Sequence, residues 1–245
     1  MTETEKFLAD VRRNIDGLKD DLDVQALSRI WLREITRHKY AYNFSWMGRP
    51  IIQFPQDMIA MQEIIWRVRP ELIIETGIAH GGSIIYYASL LEMMNIDCYV
   101  LGIDIDIRRH NRQAIESHPT NARIKMLEGS SVSDEIVAAV AKHVSGKEAV
   151  LVVLDSNHTH DHVLAELIAY APFVTSGSYV IVFDTLLEYM PDDLVTDRDW
   201  GVGNNPGSAV REFLSSTDKF EVDRDIESKL LITVAPGGYL KRGKN

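Results

Sequence analysis

The chain has 245 residues, 45% of them hydrophobic, and a formal charge of −10 from 36 acidic and 26 basic residues. That length accommodates one α/β domain with an appendage, and the apolar fraction suffices for a sizeable core. The acidic balance argues against broad nucleic-acid binding, no apolar run reaches the roughly 18 residues of a membrane span, and the single cysteine, Cys98, excludes an internal disulfide and fits a cytoplasmic location.

Residues 1–40 are charged, with Phe7, Val11, Ile15 and Leu18 at helical spacing. Such a stripe either covers its own subunit's core or forms a contact between subunits, and a homo-oligomer is the expectation. The stretch Tyr42-Asn43-Phe44-Ser45-Trp46-Met47-Gly48-Arg49-Pro50 is aromatic and turn-rich, a cap suited to the edge of a ligand cleft. A helix follows over 56–68, with Met58, Met61, Ile65 and Val68 on one face, and stops before Pro70.

The apolar run Leu72–Ile74 predicts a buried parallel strand that ends in Glu75 and enters the turn Gly77-Ile78-Ala79-His80-Gly81-Gly82-Ser83. Ser83 would cap a helix whose apolar face is Ile84, Ile85, Ala88 and Leu91. Glycines between strand and helix let a ligand approach the backbone and meet the first amides of the helix. Neither G-x-G-x-x-G nor the lysine-bearing phosphate loop fits this spacing. An acidic residue before the turn instead suits a cationic ligand, and S-adenosylmethionine carries both an ammonium and a sulfonium. Gly77, Ala79, Gly81 and Ser83 would then line the cofactor, although any doubly wound protein needs small residues at such a turn.

A second strand, Tyr99–Ile103, ends in Asp104, whose carboxylate is able to accept both ribose hydroxyls; Asp106 reads as a cap for the next helix. A third, Ile124–Leu127, leads into Gly129-Ser130-Ser131, where Ser130 and Ser131 would meet the adenine edge, while Ser131 or Ser133 equally suits the N-cap of a helix beginning near Asp134. Further strands are expected at Val150–Leu154, Tyr179–Phe183, Phe220–Val222 and Leu230–Val234, giving seven. The last two lie too close for a helical crossover and should be antiparallel. Arg108, Arg109 and Arg112 read as a solvated helix face, and Lys241-Arg242-Gly243-Lys244 as a frayed tail.

Ligands of such sheets sit at the carboxyl ends of the strands. There the fourth strand ends in Asp155-Ser156-Asn157-His158 and the fifth in Phe183-Asp184-Thr185. Asp155 and Asp184, with the Thr185 hydroxyl and waters, make an oxygen-rich site suited to Mg²⁺, and His158 is placed to take a substrate hydroxyl proton. Caps or a metal-free cofactor contact are the alternative roles of the two aspartates; His160 and His162 read as the surface start of a helix. The segment 186–207 contains Trp200 and Asn204-Asn205-Pro206 but little periodicity, and reads as a lid.

Phe54-Pro55-Gln56-Asp57, the Arg69–Gly77 run, Gly102-Ile103-Asp104-Ile105-Asp106, Gly129-Ser130-Ser131, Leu154-Asp155-Ser156-Asn157-His158 and Gly203-Asn204-Asn205-Pro206-Gly207 together resemble the cephalosporin hydroxylase/rhamnosyl O-methyltransferase family over residues 42–240. The resemblance implies a three-layer, Rossmann-like class I methyltransferase fold, α/β with a seven-stranded, mostly parallel sheet and one antiparallel strand. The helical pattern of the N-terminus sets a cap over 1–50 apart from a cofactor-binding domain over 51–245. The resemblance also implies O-methylation of a small-molecule or sugar hydroxyl, with Glu75, Gly77 and Asp104 on S-adenosylmethionine and Asp155 with Asp184 on the metal. His158 occupies the place of the catalytic base in the similar catechol O-methyltransferases. The alternative is a non-catalytic, cofactor-binding accessory protein. One departure stands out: Phe183 replaces an acidic residue common in relatives.

Overall fold

The computed structural model describes residues 1–191 and 198–243. Its centre is a sheet of β3 (Leu72–Thr76), β4 (Tyr99–Asp104), β5 (Ile124–Glu128), β6 (Val150–Leu154) and β7 (Tyr179–Val182), of which β3, β4, β6 and β7 are predominantly apolar. Strands buried on both faces need no polar alternation, and β3, β6 and β7 have every residue buried. With β8 (Phe220–Val222) and β9 (Tyr239–Arg242) the strand order is β5-β4-β3-β6-β7-β9-β8. Only β9 runs antiparallel to its neighbours. The order reverses between β3 and β6, so their carboxyl ends diverge and open a crevice there.

Alternate side chains of the strands feed two cores, which makes three layers. Ile73, Val100, Val153 and Ile181 pack under α3 (Pro55–Val68), α4 (Gly82–Met93) and α5 (Arg109–Glu116). Ile74, Leu101, Val152 and Val180 pack under α6 (Asp134–Val144), α7 (His160–Tyr170) and α8 (Pro206–Ser215). On α3, Met61 and Ile65 are buried and Met58 and Val68 half-buried, as the spacing requires. The helix closes on Arg69 in the left-handed region ahead of Pro70.

Against expectation, α4 has no amphipathic stripe. Tyr86, Tyr87, Ser89 and Leu90 are buried along with Ile84, Ile85, Ala88 and Leu91, because a hairpin of β1 (Phe44–Trp46) and β2 (Arg49–Ile51) covers its outer face. Trp46 packs edge-on to Tyr86 at 4.9 Å and donates its indole N–H to Ser89 Oγ at 2.9 Å. The residues before the hairpin form α1 (Glu3–Asp20) and α2 (Leu22–Thr36). In α1, Val11, Ile15 and Leu18 are half-buried and Phe7 is exposed; the helix lies along α9 (Arg224–Leu230), where Arg12 pairs with Asp225. The stripe thus lies at least partly on its own subunit.

Two expectations at the C-terminal end are overturned. Residues 230–234 are not a strand, because their backbone is claimed elsewhere: Val234 N donates to the Asp57 carboxylate at 2.9 Å, and Thr233 Oγ1 and Tyr239 Oη donate to the same group. The antiparallel strand is β9, which contains Lys241 and Arg242 of the supposed frayed tail; Arg242 reaches the Val174 carbonyl. Lys244 lies outside the described residues.

Asp57 therefore joins α3 to the sheet edge from a fully buried position. Burial raises its pKa from 3.8 to about 6, more than its three donors lower it. The folded state then holds a proton that the unfolded chain releases, so this contribution to stability is present below about pH 4 and lost as pH rises through 6. Asp57→Ala would strand three buried donors and destabilise the fold by roughly 3 kcal/mol. Paired thermal melts of the two proteins should show the largest Tm gap at about pH 4, shrinking through pH 6 to a smaller one at pH 7; a gap that widens with pH would mean the donors dominate.

Candidate active site

The crevice above β3 and β6 is a cavity bordered by Gly77, Ile78, Ala79, His80, Gly82 and Ser83 on one side and by Asp155, Ser156, His158 and Asp184 on the other. Tyr42 and the segment Pro50–Gln53 form its third wall, so the aromatic stretch does border the cleft. Arg49 fixes this wall in place, donating to the His80 carbonyl and to Asn111 Oδ1 at 2.8 Å.

Two glycines of the turn are required by the protein's own backbone. Gly77 has φ +91°, and a Cβ on it would fall 1.9 Å from the Asp155 carbonyl oxygen. A Cβ on Gly82 would fall 2.1 Å from the Pro50 carbonyl oxygen. The first contact binds the turn to the loop after β6, where Asp155 N also donates to Thr76 O at 2.9 Å. The second lets β2 cross the start of α4. Gly81, at φ +82°, takes the N-cap position, so Ser83 is not the cap: it sits in the first turn and donates its hydroxyl to Glu75 Oε2 at 2.7 Å.

Glu75 is fully buried, and its other oxygen, Oε1, has no hydrogen-bond partner. Burial pushes its pKa well above the usual carboxylate range, with the nearby Asp155 adding to the shift. A buried, half-satisfied carboxyl beside a glycine turn fits a cation bound in the cavity, which would restore the charge and supply the missing donor. Asp104 at the end of β4 accepts from Ile78 N at 2.8 Å and Ala79 N at 3.1 Å through Oδ2, and from Asp106 N at 3.1 Å through Oδ1. It holds the turn and retains acceptor capacity on Oδ1. Asp106 caps no helix, since α5 begins beyond it with Arg108 at the N-cap.

The loop after β5 divides its serines. Ser133 is the N-cap of α6. Ser130 is half-buried and gives its carbonyl to Ser133. Ser131 is buried and donates to Glu166 Oε1 at 2.5 Å, an atom that also accepts from Ser156 at 2.7 Å. His162 Nε2 lies 3.4 Å from the same oxygen, and His160 spans Ser208 and Glu212. Both histidines start α7, as expected, yet are engaged rather than free on the surface.

Asp155, His158 and Asp184 converge with ligand atoms all within 4.8 Å of one another. His158 Nε2 is 3.0 Å from Asp184 Oδ2 and 3.7 Å from Asp155 Oδ1. Burial pulls the imidazole pKa down, but the two carboxylates outweigh it and leave the group above its ordinary 6.5. Burial, together with the Asp184 charge, drives Asp155 upward in spite of His158. Two carboxylates forced together in a cleft are a donor set that fits a divalent cation. Thr185 is not brought to this cluster: its buried hydroxyl donates to the Pro236 carbonyl at 2.8 Å. Phe183 is buried in the α3–α4 core and offers nothing to the site. Trp200 stands edge-on to the His158 ring at 4.9 Å, while residues 192–197 of the expected lid lie outside the described residues.

Sequence reasoning missed Gln53, His80 and Ser156 as lining residues. For Gln53 a signal existed, a lone polar residue inside Ile51-Ile52-Gln53-Phe54, and it is buried.

Comparison with known proteins gives this geometry a family. Residues 38–243 match the family described as Rhamnosyl O-methyltransferase/CmcI. A rhamnosyl O-methyltransferase of Mycobacterium leprae (strain TN) is 30% identical over 218 residues, covering 84% of this chain and 88% of its own. Two solved structures share the fold. The apo form of CmcI-N160 has a TM-score of 0.60 at 20% identity, covering 83% of this chain and 78% of its own. CmcI-D160 with Mg and SAM has a TM-score of 0.56 at 19% identity, covering 82% and 77%. The match spans nearly all of the sheet and every residue of the cavity described above, and the chain belongs to the rhamnosyl O-methyltransferase/CmcI family.

Proposed function

We propose that the protein is an S-adenosylmethionine-dependent O-methyltransferase acting on a hydroxyl of a sugar or natural product. The observation that carries this reading is that one cavity has the Asp155–His158–Asp184 cluster on one side and, on the other, the glycine turn whose Ser83 is held by the buried carboxyl of Glu75. One end suits a cationic cofactor and the other a hydroxyl that must lose its proton. Gly77, Ala79, Gly81 and Ser83 shape the cofactor side; Asp104 receives the ribose hydroxyls on its spare acceptor capacity, and Ser130 with the Ser131 backbone meets the adenine edge.

Asp184 holds the Nε2–H of His158, which orients the ring and leaves Nδ1 as the atom that accepts the hydroxyl proton. Mg²⁺ held by Asp155 and Asp184 would lower the pKa of the acceptor hydroxyl and orient it. The rest of the catalysis is alignment of acceptor oxygen and methyl group. Trp200 beside His158 and Tyr42 at the cavity wall offer aromatic surface to a sugar ring and keep water from it, and Trp200 belongs to the described part of the lid.

A second copy of the chain is the partner that α2 suits. Leu27, Ile30 and Trp31 share one helical face and are 65%, 50% and 53% exposed. No helix among the described residues is long and apolar enough to cross a membrane. Cys98 is buried with its thiol pushed up to about 12, an unreactive cysteine suited to the cytoplasm.

His158→Ala should lower kcat by about 10²- to 10⁴-fold and leave S-adenosylhomocysteine affinity unchanged, measured by turnover on a panel of sugars and phenols together with calorimetry. Turnover within about twofold of wild type would remove His158 as the base. Chelation should lower activity and readdition of Mg²⁺ restore it; full activity in excess EDTA would end the metal assignment and leave Asp155 and Asp184 as positioning groups for His158.

A further inference from the structure

The motif Gly203-Asn204-Asn205-Pro206-Gly207 divides its two side-chain amides between different tasks. Asn205 is buried and caps α8, exchanging hydrogen bonds with Ser208, and Pro206 opens that helix. Asn204 serves no helix of its own segment. Its Oδ1 accepts from His160 N at 2.8 Å, and its Nδ2 donates to the Asp199 carbonyl at 2.7 Å. The first bond replaces a cap that α7 lacks: Thr159 at the N-cap makes no side-chain bond to the helix, its hydroxyl donating to Asn157 Oδ1 at 2.8 Å instead. The second bond holds the residue before Trp200, whose ring stands against His158. One exposed amide therefore has one end two residues after His158 and the other end one residue before its aromatic neighbour.

We propose that Asn204 is a positioning residue that seats Trp200 against His158 by joining the two backbones through a single amide. Its effect on turnover rests on the methyltransferase reading above. Asp184 holds the His158 ring at Nε2, 3.0 Å away, but a ring held at one nitrogen still swings about that bond. Trp200, edge-on at 4.9 Å with the ring planes 69° apart, limits the swing from one side. Being on a loop, Trp200 needs anchors of its own. Glu188 supplies one, accepting from Gly203 N at 2.9 Å and from Asn205 Nδ2, while Gly201 and Asn204 pair both ways at 3.0 Å. Those contacts tie the loop to the segment after Asp184; the Asn204 amide ties it to the segment after His158. An amide offers an acceptor to a helix N–H and a donor to a carbonyl at once, whereas a carboxylate offers only the first.

Asn204 is exposed, so replacing it opens no void in the core. Asn204→Asp keeps the acceptor for His160 N, at a helix start that favours a carboxylate, and loses the donor to Asp199; Asn204→Ala loses both. The chain has four tryptophans, so protein labelled with 5-fluorotryptophan gives one fluorine signal for each, that of Trp200 being the one absent from Trp200→Phe. In both Asn204 variants the Trp200 signal should move and the others stay. With the best acceptor from the sugar and phenol panel, kcat should fall about tenfold in both variants, while S-adenosylhomocysteine affinity stays within about twofold of wild type. A Trp200 signal that stays in place in either variant would overturn the proposal, as would wild-type kcat in Asn204→Asp, which would leave Asn204 as a helix cap alone. Movement of every signal would overturn it too, by showing a general disturbance. Wild type that transfers no methyl group to any acceptor would instead bring down the methyltransferase reading, and the fluorine spectra would still decide whether Asn204 seats Trp200.

Discussion

The site depends on the contact of two backbones, Gly77 in the turn after β3 and Asp155 in the loop after β6. These strands are neighbours in the sheet, yet they feed loops that leave in opposite directions, so a crevice opens between their ends. Without a side chain at residue 77 the loops touch directly, and the Asp155 N–H finds the Thr76 carbonyl. That contact fixes where the cofactor turn ends and where the acidic cluster begins. Asp104 reinforces it from the other side by holding the amides of Ile78 and Ala79.

Acidic groups dominate what this frame encloses. Burial drives the pKa of Glu75 and Asp155 upward, and the charge of Asp155 beside Glu75 and of Asp184 beside Asp155 adds to it. Among the described residues, His158 and the Ser83 hydroxyl offset this charge. Such an arrangement is unfavourable in isolation and becomes favourable when cations occupy the cleft, which is how a site built for a sulfonium cofactor and a divalent ion would be arranged. Stability is given up locally so that binding supplies what the protein leaves unpaired.

The N-terminal segment completes the enclosure and explains the composition of α4. A helix apolar on all sides needs cover on all sides. The β1–β2 hairpin provides it and at the same time brings Tyr42 and Gln53 to the cavity. Arg49 bonds this hairpin to the cofactor turn through the His80 carbonyl, so cap and cofactor loop form one wall. Cover for the core and one wall of the cavity thus come from a single segment.

Patterning alone determined much of this. Apolar runs starting at 72, 99, 150 and 179 dictate buried strands, and the acidic residues at or just after their ends fall at the carboxyl edge by the rule of alternating strand and helix. That logic made Glu75, Asp104, Asp155, His158 and Asp184 legible as site candidates. Contacts between residues far apart in the chain decided the rest. Val234 is in no strand because Asp57, 177 residues away, takes its N–H; Ser83 is not a cap because Gly81 adopts the left-handed turn; Thr185 faces Pro236 rather than the cluster. Gln53 stood out as a polar residue in an apolar run, but that its Oε1 is buried without a partner was hidden for the same reason. Local propensity reads which residues are polar, whereas only the packed chain shows which buried polar atom has been left without a partner.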